Sequence, residues 1–145
     1  MKNMYSIGQM AQAGHCNVQT IRYYEQVKLL DIPKRNSGNQ RIYDQNQLNR
    51  LKFIRHSREL GFSLEQIREI LALSDDPTHS CQQVDQIARN HLQDVESKIL
   101  RLLGMKKELN RMISQCSGDQ IADCRIIEVL SDHQLCMAQK HSKAD

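Results

Sequence analysis

Tryptophan is absent from this chain, phenylalanine and proline occur twice each, and aromatic residues make up 4% of its 145 positions. So few large rings leave little material for an extensive independent core. The expectation is one domain, or one small domain with an extension, mainly helical and completing its burial by dimerising. No run of 18 apolar residues occurs, so no segment has the hydropathy of a membrane-crossing helix. Residues 1–7 lack the apolar stretch of a secretory signal. These absences point to the cytoplasm, where clustered cysteines more often bind metal or catalyse than form disulfides. A cysteine nucleophile needs a positioned histidine, and no Cys/His pair here stands in such a context, so an enzyme is not expected.

What is present is unevenly distributed. Residues 1–62 hold ten Lys/Arg against four Asp/Glu, a balance of +6, whereas 63–145 hold ten against thirteen, a balance of −3. A basic front half is the electrostatic footprint of a nucleic-acid partner.

Helix starts are marked clearly in that half. Ser6 with Gln9, Asp44 with Gln47 and Ser63 with Gln66 have the capping-box spacing, and Asn17 with Thr20 is a fourth N-cap. Together with apolar periodicity they predict helices over 7–13, 18–26, 45–59, 64–72 and 82–114. The short turn Gly14-His15-Cys16 gives the first two helix-turn-helix proportions. The Asn/Ser/Gly-centred segment 33–43 predicts a β-hairpin wing. Gly61 is placed to end the third helix in a left-handed cap. Ile126, Ile127, Val129 and Leu130 predict a short amphipathic helix, followed by a polar tail. Cys16, in the turn, reads as a small buried hydrophobe.

The fifth helix carries the sharpest puzzle. Ala88, Leu92, Val95, Ile99, Leu102, Leu109 and Ile113 recur at steps of three and four with a gap at Lys106, a heptad-like seam. A continuous helix between Cys81 and Cys116 spans roughly 50 Å at about 1.5 Å per residue, so one copy cannot bring these thiols together. Two antiparallel copies can. A thiol site built from Cys81 of one subunit and Cys116 and Cys124 of another would exist in the dimer alone.

Gln19-Thr20-Ile21-Arg22-Tyr23-Tyr24-Glu25 occupies the second helix, where a recognition helix enters the major groove. Arg22 can pair with phosphate or guanine, and Tyr23 can pack on sugar, while Ile21 and part of Tyr24 belong to the core. Arg35, Arg41 and Tyr43 decorate the wing. Thr-Ile-Arg-Tyr-Tyr-Glu, a leucine pair, a Gly-Asn-x-Arg-x-Tyr wing and Leu-Gly-Phe-Ser-Leu-Glu-Gln-Ile-Arg together resemble the MerR family of transcriptional regulators, over residues 5–127.

The resemblance implies a winged helix-turn-helix domain over 1–74, a linker and antiparallel coiled-coil dimerisation helix over 75–115, a metal-binding loop and short helix over 116–132, and a flexible tail over 133–145. It implies a homodimer on double-stranded promoter DNA that bends and untwists an overlong spacer for RNA polymerase, activating an efflux or detoxification gene. It carries DNA contact to Arg22, Tyr23, Arg41 and Arg58, and to Thr20 and Asn39. It also carries metal ligation to Cys81, Cys116 and Cys124.

Three thiolates suit a divalent ion such as zinc, cadmium or lead; two suit monovalent copper, silver or gold. In the family, monovalent sensors carry Ser where Cys81 stands, so Cys81 favours the divalent ion, although the loop from Cys116 to Cys124 resembles the copper type. Cu(I) stays as the alternative effector. His79, His133 and Cys136, with His141, are further soft donors that could complete a site. A thiol-redox switch at Cys116 and Cys124, and a metal storage or delivery module that does not act on DNA, are the competing functions.

Overall fold

A computed structural model describes residues 3–116, 118 and 120–135 of the chain. They divide into two compact units, with the boundary between Val84 and Asp85. The architecture is mainly α.

In the first unit, four helices and a small sheet form around one core. Helix α1 (Ile7–Ala13) and α2 (Val18–Gln26) flank the tight turn, and α3 (Gln45–Glu59) and α4 (Leu64–Ser74) follow the wing. Local chemistry explains the starts. Ser6, Asp44 and Ser63 each accept from the backbone N–H three residues on, and Gln9, Gln47 and Gln66 reach back to the cap backbone. The Asn17 Oδ1 accepts from the Thr20 N–H at 2.8 Å and from its hydroxyl at 2.9 Å. Gly61 adopts φ 87° and follows the end of α3, so its carbonyl-seeking N–H closes on Arg58 O at 2.9 Å. Helix α4 runs two residues beyond the expected end, to Ser74, whose hydroxyl donates to Leu71 O at 2.8 Å.

The wing is strands β2 (Lys34–Arg35) and β3 (Arg41–Tyr43), paired antiparallel with Arg35 opposite Arg41. A third strand that the periodicity does not predict, β1 (Tyr5–Ser6), lies on the other side of β3 and gives the order β1-β3-β2. Two residues are too short for an alternation signal; the pairing of Tyr5 with Tyr43 comes from tertiary context.

Met10, Ile21, Leu29, Tyr43, Leu51, Ile54 and Ile67 are almost wholly buried. Gly14 is required by this packing. A Cβ there would stand 2.6 Å from Leu51 Cδ2 and 3.0 Å from the Met10 carbonyl oxygen. Cys16 packs partly buried against the same core.

The second unit holds most of α5 (Gln82–Ser114), a 3-10 turn at Ile121–Asp123, α6 (Arg125–Ser131) and a second 3-10 turn at His133–Leu135. Among the described residues its buried apolar side chains are Met112 and Val129. Glu108, itself buried, pairs with Arg111 at 2.6 Å, and Arg111 also donates to Leu135 O at 2.6 Å. By contrast Leu92, Ile99, Leu100, Leu102, Leu103, Leu109 and Ile113 of α5 are exposed. No described helix is long and apolar enough to cross a membrane.

Candidate nucleic-acid interface and metal centre

Helix α2 presents its polar side outward. Ile21 and Tyr24 are buried in the core, which leaves Arg22 and Tyr23 exposed on the opposite face. The Tyr23 ring lies against Tyr24 at a centroid distance of 6.0 Å, tilted by 48°. Burial pushes the Tyr24 phenol above its ordinary range, with Arg58 and Arg55 opposing. Arg22 makes no ion pair among the described residues, so its charge is available to a ligand. A surface hollow is lined by Thr20, Tyr23, Arg58 and Asn17, with Thr20 tied to the N-cap and Arg58 donating to Phe62 O at 2.9 Å.

The wing tip is rigidified from within. Asn36 Oδ1 accepts from the N–H groups of Gly38 and Gln40 at 3.0 and 2.9 Å. Asn39 turns the chain with φ 61°, and Arg35 Nη1 donates to its carbonyl at 2.9 Å. Arg35 and Asn39 are therefore exposed on an ordered tip.

Two residues of the expected wing set, Tyr43 and Arg41, bond to Glu25. Tyr43 is fully buried and gives its hydroxyl to the Glu25 carboxylate; burial, with that carboxylate beside it, holds the phenol well above its ordinary range. It is a core residue, not an outward-facing grip on DNA. Arg41 is partly buried and donates to Glu25 at 2.9 Å. Glu25 is the hub of this contact, a role that its place in the sequence pattern does not announce. The available signal was a carboxylate in the last turn of a helix, where the dipole disfavours it unless a cation answers. Three further arginines cap carbonyls around α2: Arg55 at His15 O (2.8 Å), Arg68 at Val27 O (2.6 Å) and Arg50 at Leu29 O (2.7 Å).

At the far end of α5, Cys116 and Cys124 come together, both partly buried, with sulfurs 3.8 Å apart. The 3-10 turn makes this possible by folding the loop back, the Cys124 N–H closing on Ile121 O at 3.1 Å. Arg125 ties α6 to the end of α5 by donating to Gln115 Oε1 at 3.0 Å. The Ile127 N–H, foremost, lowers the Cys124 thiol below its ordinary value, aided by the Cys116 thiol and the Ile126 N–H and opposed by desolvation.

Cys81 stands exposed immediately before α5. Among the described residues, one chain assembles no group of three His, Cys, Asp or Glu that could hold a metal. His79 is exposed and meets Gln83 Oε1 at 3.3 Å. His133 opens the last 3-10 turn, and Cys136 and His141, with most of the expected tail, lie outside the described residues.

A helix-turn-helix with a wing, a long helix with an exposed apolar seam and a terminal thiol pair define a DNA-binding regulator of the dimeric, effector-responsive class. The chain belongs to the MerR family. Residues 5–74 match the MerR HTH family regulatory protein model, and residues 48–112 match its companion, MerR, DNA binding. The HTH-type transcriptional regulator ZntR of Escherichia coli K12 is 42% identical over 130 residues, covering 88% of this chain and 92% of that protein. Among solved structures, the transcription regulator PbrR691 from Ralstonia metallidurans CH34 in complex with lead(II) superposes with a TM-score of 0.76 at 35% identity, covering 87% and 98% of the two chains. MerR from Bacillus megaterium MB1 in complex with mercury(II) superposes at 0.67 with 30% identity, covering 88% and 100%. The chain is a transcriptional regulator that binds DNA, and not an enzyme.

Proposed function

We propose that this chain is a homodimeric activator that responds to a soft divalent ion, zinc, cadmium or lead, bound by Cys116 and Cys124 of one subunit and Cys81 of the other. The carrying observation is the thiol pair 3.8 Å apart at one end of the 33-residue helix that has Cys81 at its other end. At about 1.5 Å per residue that helix is about 50 Å long, so a second, antiparallel copy is what brings a third thiolate to the pair. The relatives bound to lead(II) and mercury(II) support the divalent class.

On DNA, Arg22 and Tyr23 of α2 would read the major groove, with Thr20, Arg58, Arg35 and Asn39 on the flanking backbone. Metal at the dimer seam would alter how the two DNA-binding units are held, distorting the promoter for RNA polymerase and an efflux or detoxification gene. His79, His133 and Cys136 remain candidates for a further donor. Titrating the reduced dimer with Cd²⁺ and with Cu⁺ tests the assignment. Cadmium–thiolate absorption from three sulfurs per ion, lost in Cys81→Ser with DNA binding intact, is the expected result. Full metal response in Cys81→Ser, or selective Cu⁺ binding by the loop pair, would contradict it.

A further inference from the structure

We propose that Glu25 is a positioning residue that fixes the wing to the recognition helix, and that Arg41 acts through this carboxylate and not on a phosphate. The inference rests on the reading that α2 and the wing face DNA. Glu25 sits in the last turn of α2, and its side chain is 9% exposed. Each carboxylate oxygen takes a different partner from β3: Oε2 accepts from Arg41 Nη1 at 2.9 Å, and Oε1 accepts from the Tyr43 hydroxyl. Arg41 and Tyr43 are two apart on one strand, so both project from the same face. Tyr43 is wholly buried and cannot follow a moving carboxylate. The strand is thereby referenced to the helix by two charge-assisted bonds of different origin. The rest of the wing hangs from β3, through β2 and the tip at residues 36–40.

The electrostatics agree. A carboxylate this close to a DNA-facing helix repels phosphate unless neutralised, and Arg41 neutralises it at contact distance. A guanidinium so engaged adds no net charge against which a counterion is released. What the pair does supply is a fixed relation between the helix in the groove and the wing on the backbone, on which register depends. Loss of the link should therefore lower discrimination between DNA sequences more than affinity for DNA in general.

The test uses the full-length dimer, a duplex enriched from a random library by the wild type, and an unselected duplex of equal length. Glu25→Gln removes a negative charge, so electrostatics alone predicts equal or tighter binding to both. The proposal predicts that the selected-to-random affinity ratio falls at least tenfold while random-duplex binding holds or rises. Tyr43→Phe, which deletes the hydroxyl and keeps the ring, should lower the ratio in the same direction. Arg41→Gln should lower it in the wild type and change it less than twofold in the Glu25→Gln background. All ratios are compared where circular dichroism shows the variants folded; a merely structural role would lower the melting temperature and leave the ratio intact. If Glu25→Gln does not fold, Tyr43→Phe decides: a lowered ratio supports the link and an unchanged one overturns it. The proposal also fails if Arg41→Gln costs the same in both backgrounds and reduces the salt slope by about 0.9, the signature of one phosphate contact. A wild type that enriches no sequence overturns the DNA-facing reading itself.

Discussion

Replacing Ile99 and Leu102 with glutamate should dissociate the dimer and remove the third metal ligand with it. Both side chains lie on the seam of α5, 50% and 60% exposed within one chain. Fully burying such a side chain stabilises by about 1.5–3 kcal/mol, so covering roughly half of each contributes about 0.8–1.5 kcal/mol. Two positions in each of two chains therefore place about 3–6 kcal/mol at risk before any cost of burying the new carboxylates. At about 1.4 kcal/mol per tenfold, the dissociation constant should rise by about 10²–10⁴. Sedimentation equilibrium across a concentration series measures this directly, and far-ultraviolet circular dichroism checks that the first unit stays folded. A double variant that remains dimeric at the wild-type constant would refute the assignment of this seam to a second copy. One that dissociates yet keeps three-thiolate cadmium absorption would refute the inter-subunit site.

Other outcomes follow from individual contacts. Gly14→Ala should destabilise the first unit by about 1–3 kcal/mol, because the new methyl meets buried Leu51 at 2.6 Å and a carbonyl oxygen at 3.0 Å; a lowered melting temperature checks it. Asn17→Ala should cost about 1 kcal/mol by removing the α2 cap, read by the same melt. At neutral pH, Cys124 should be alkylated by iodoacetamide faster than Cys16, as resolved by peptide mass spectrometry. The first thiol is held below its ordinary value chiefly by the Ile127 N–H, and burial pushes the second above it. The sign for stability follows from the depressed Cys124 value: its thiolate favours the folded loop above the unfolded thiol pKa, and that contribution is lost as pH falls through the folded one.

The helical frame was legible because its signals are local. An N-cap oxygen with a glutamine three residues later, or Asn17 with Thr20, specifies a start without reference to anything distant, and the starts at Ile7, Val18, Gln45 and Leu64 fall where those pairs place them. Ile21 and Tyr24 as core followed from helical phase, and Cys16, in the turn, as a small residue against it from the burial habit of a lone cysteine. What escaped was set by partners far along the chain. Strand β1 exists because Tyr5 meets Tyr43, 38 positions away. Tyr43 alternates on a hairpin that reads as exposed, yet it faces Glu25 across 18 positions and is buried. Arg41 looks like any wing cation until that carboxylate is placed beside it. The approach of Cys116 to Cys124 needed a 3-10 turn that no periodicity announces.

The central claim, that the metal site is completed across two chains, is tested most directly by subunit mixing. Cys81→Ser dimers keep the loop pair, and Cys116→Ser/Cys124→Ser dimers keep Cys81; neither alone should give three-thiolate cadmium absorption. After the two are unfolded and refolded together, the heterodimer brings one intact loop to one intact Cys81. The account predicts recovery of one such cadmium site per heterodimer, with stoichiometry read by titration. No recovery in heterodimers confirmed by native mass spectrometry would contradict it.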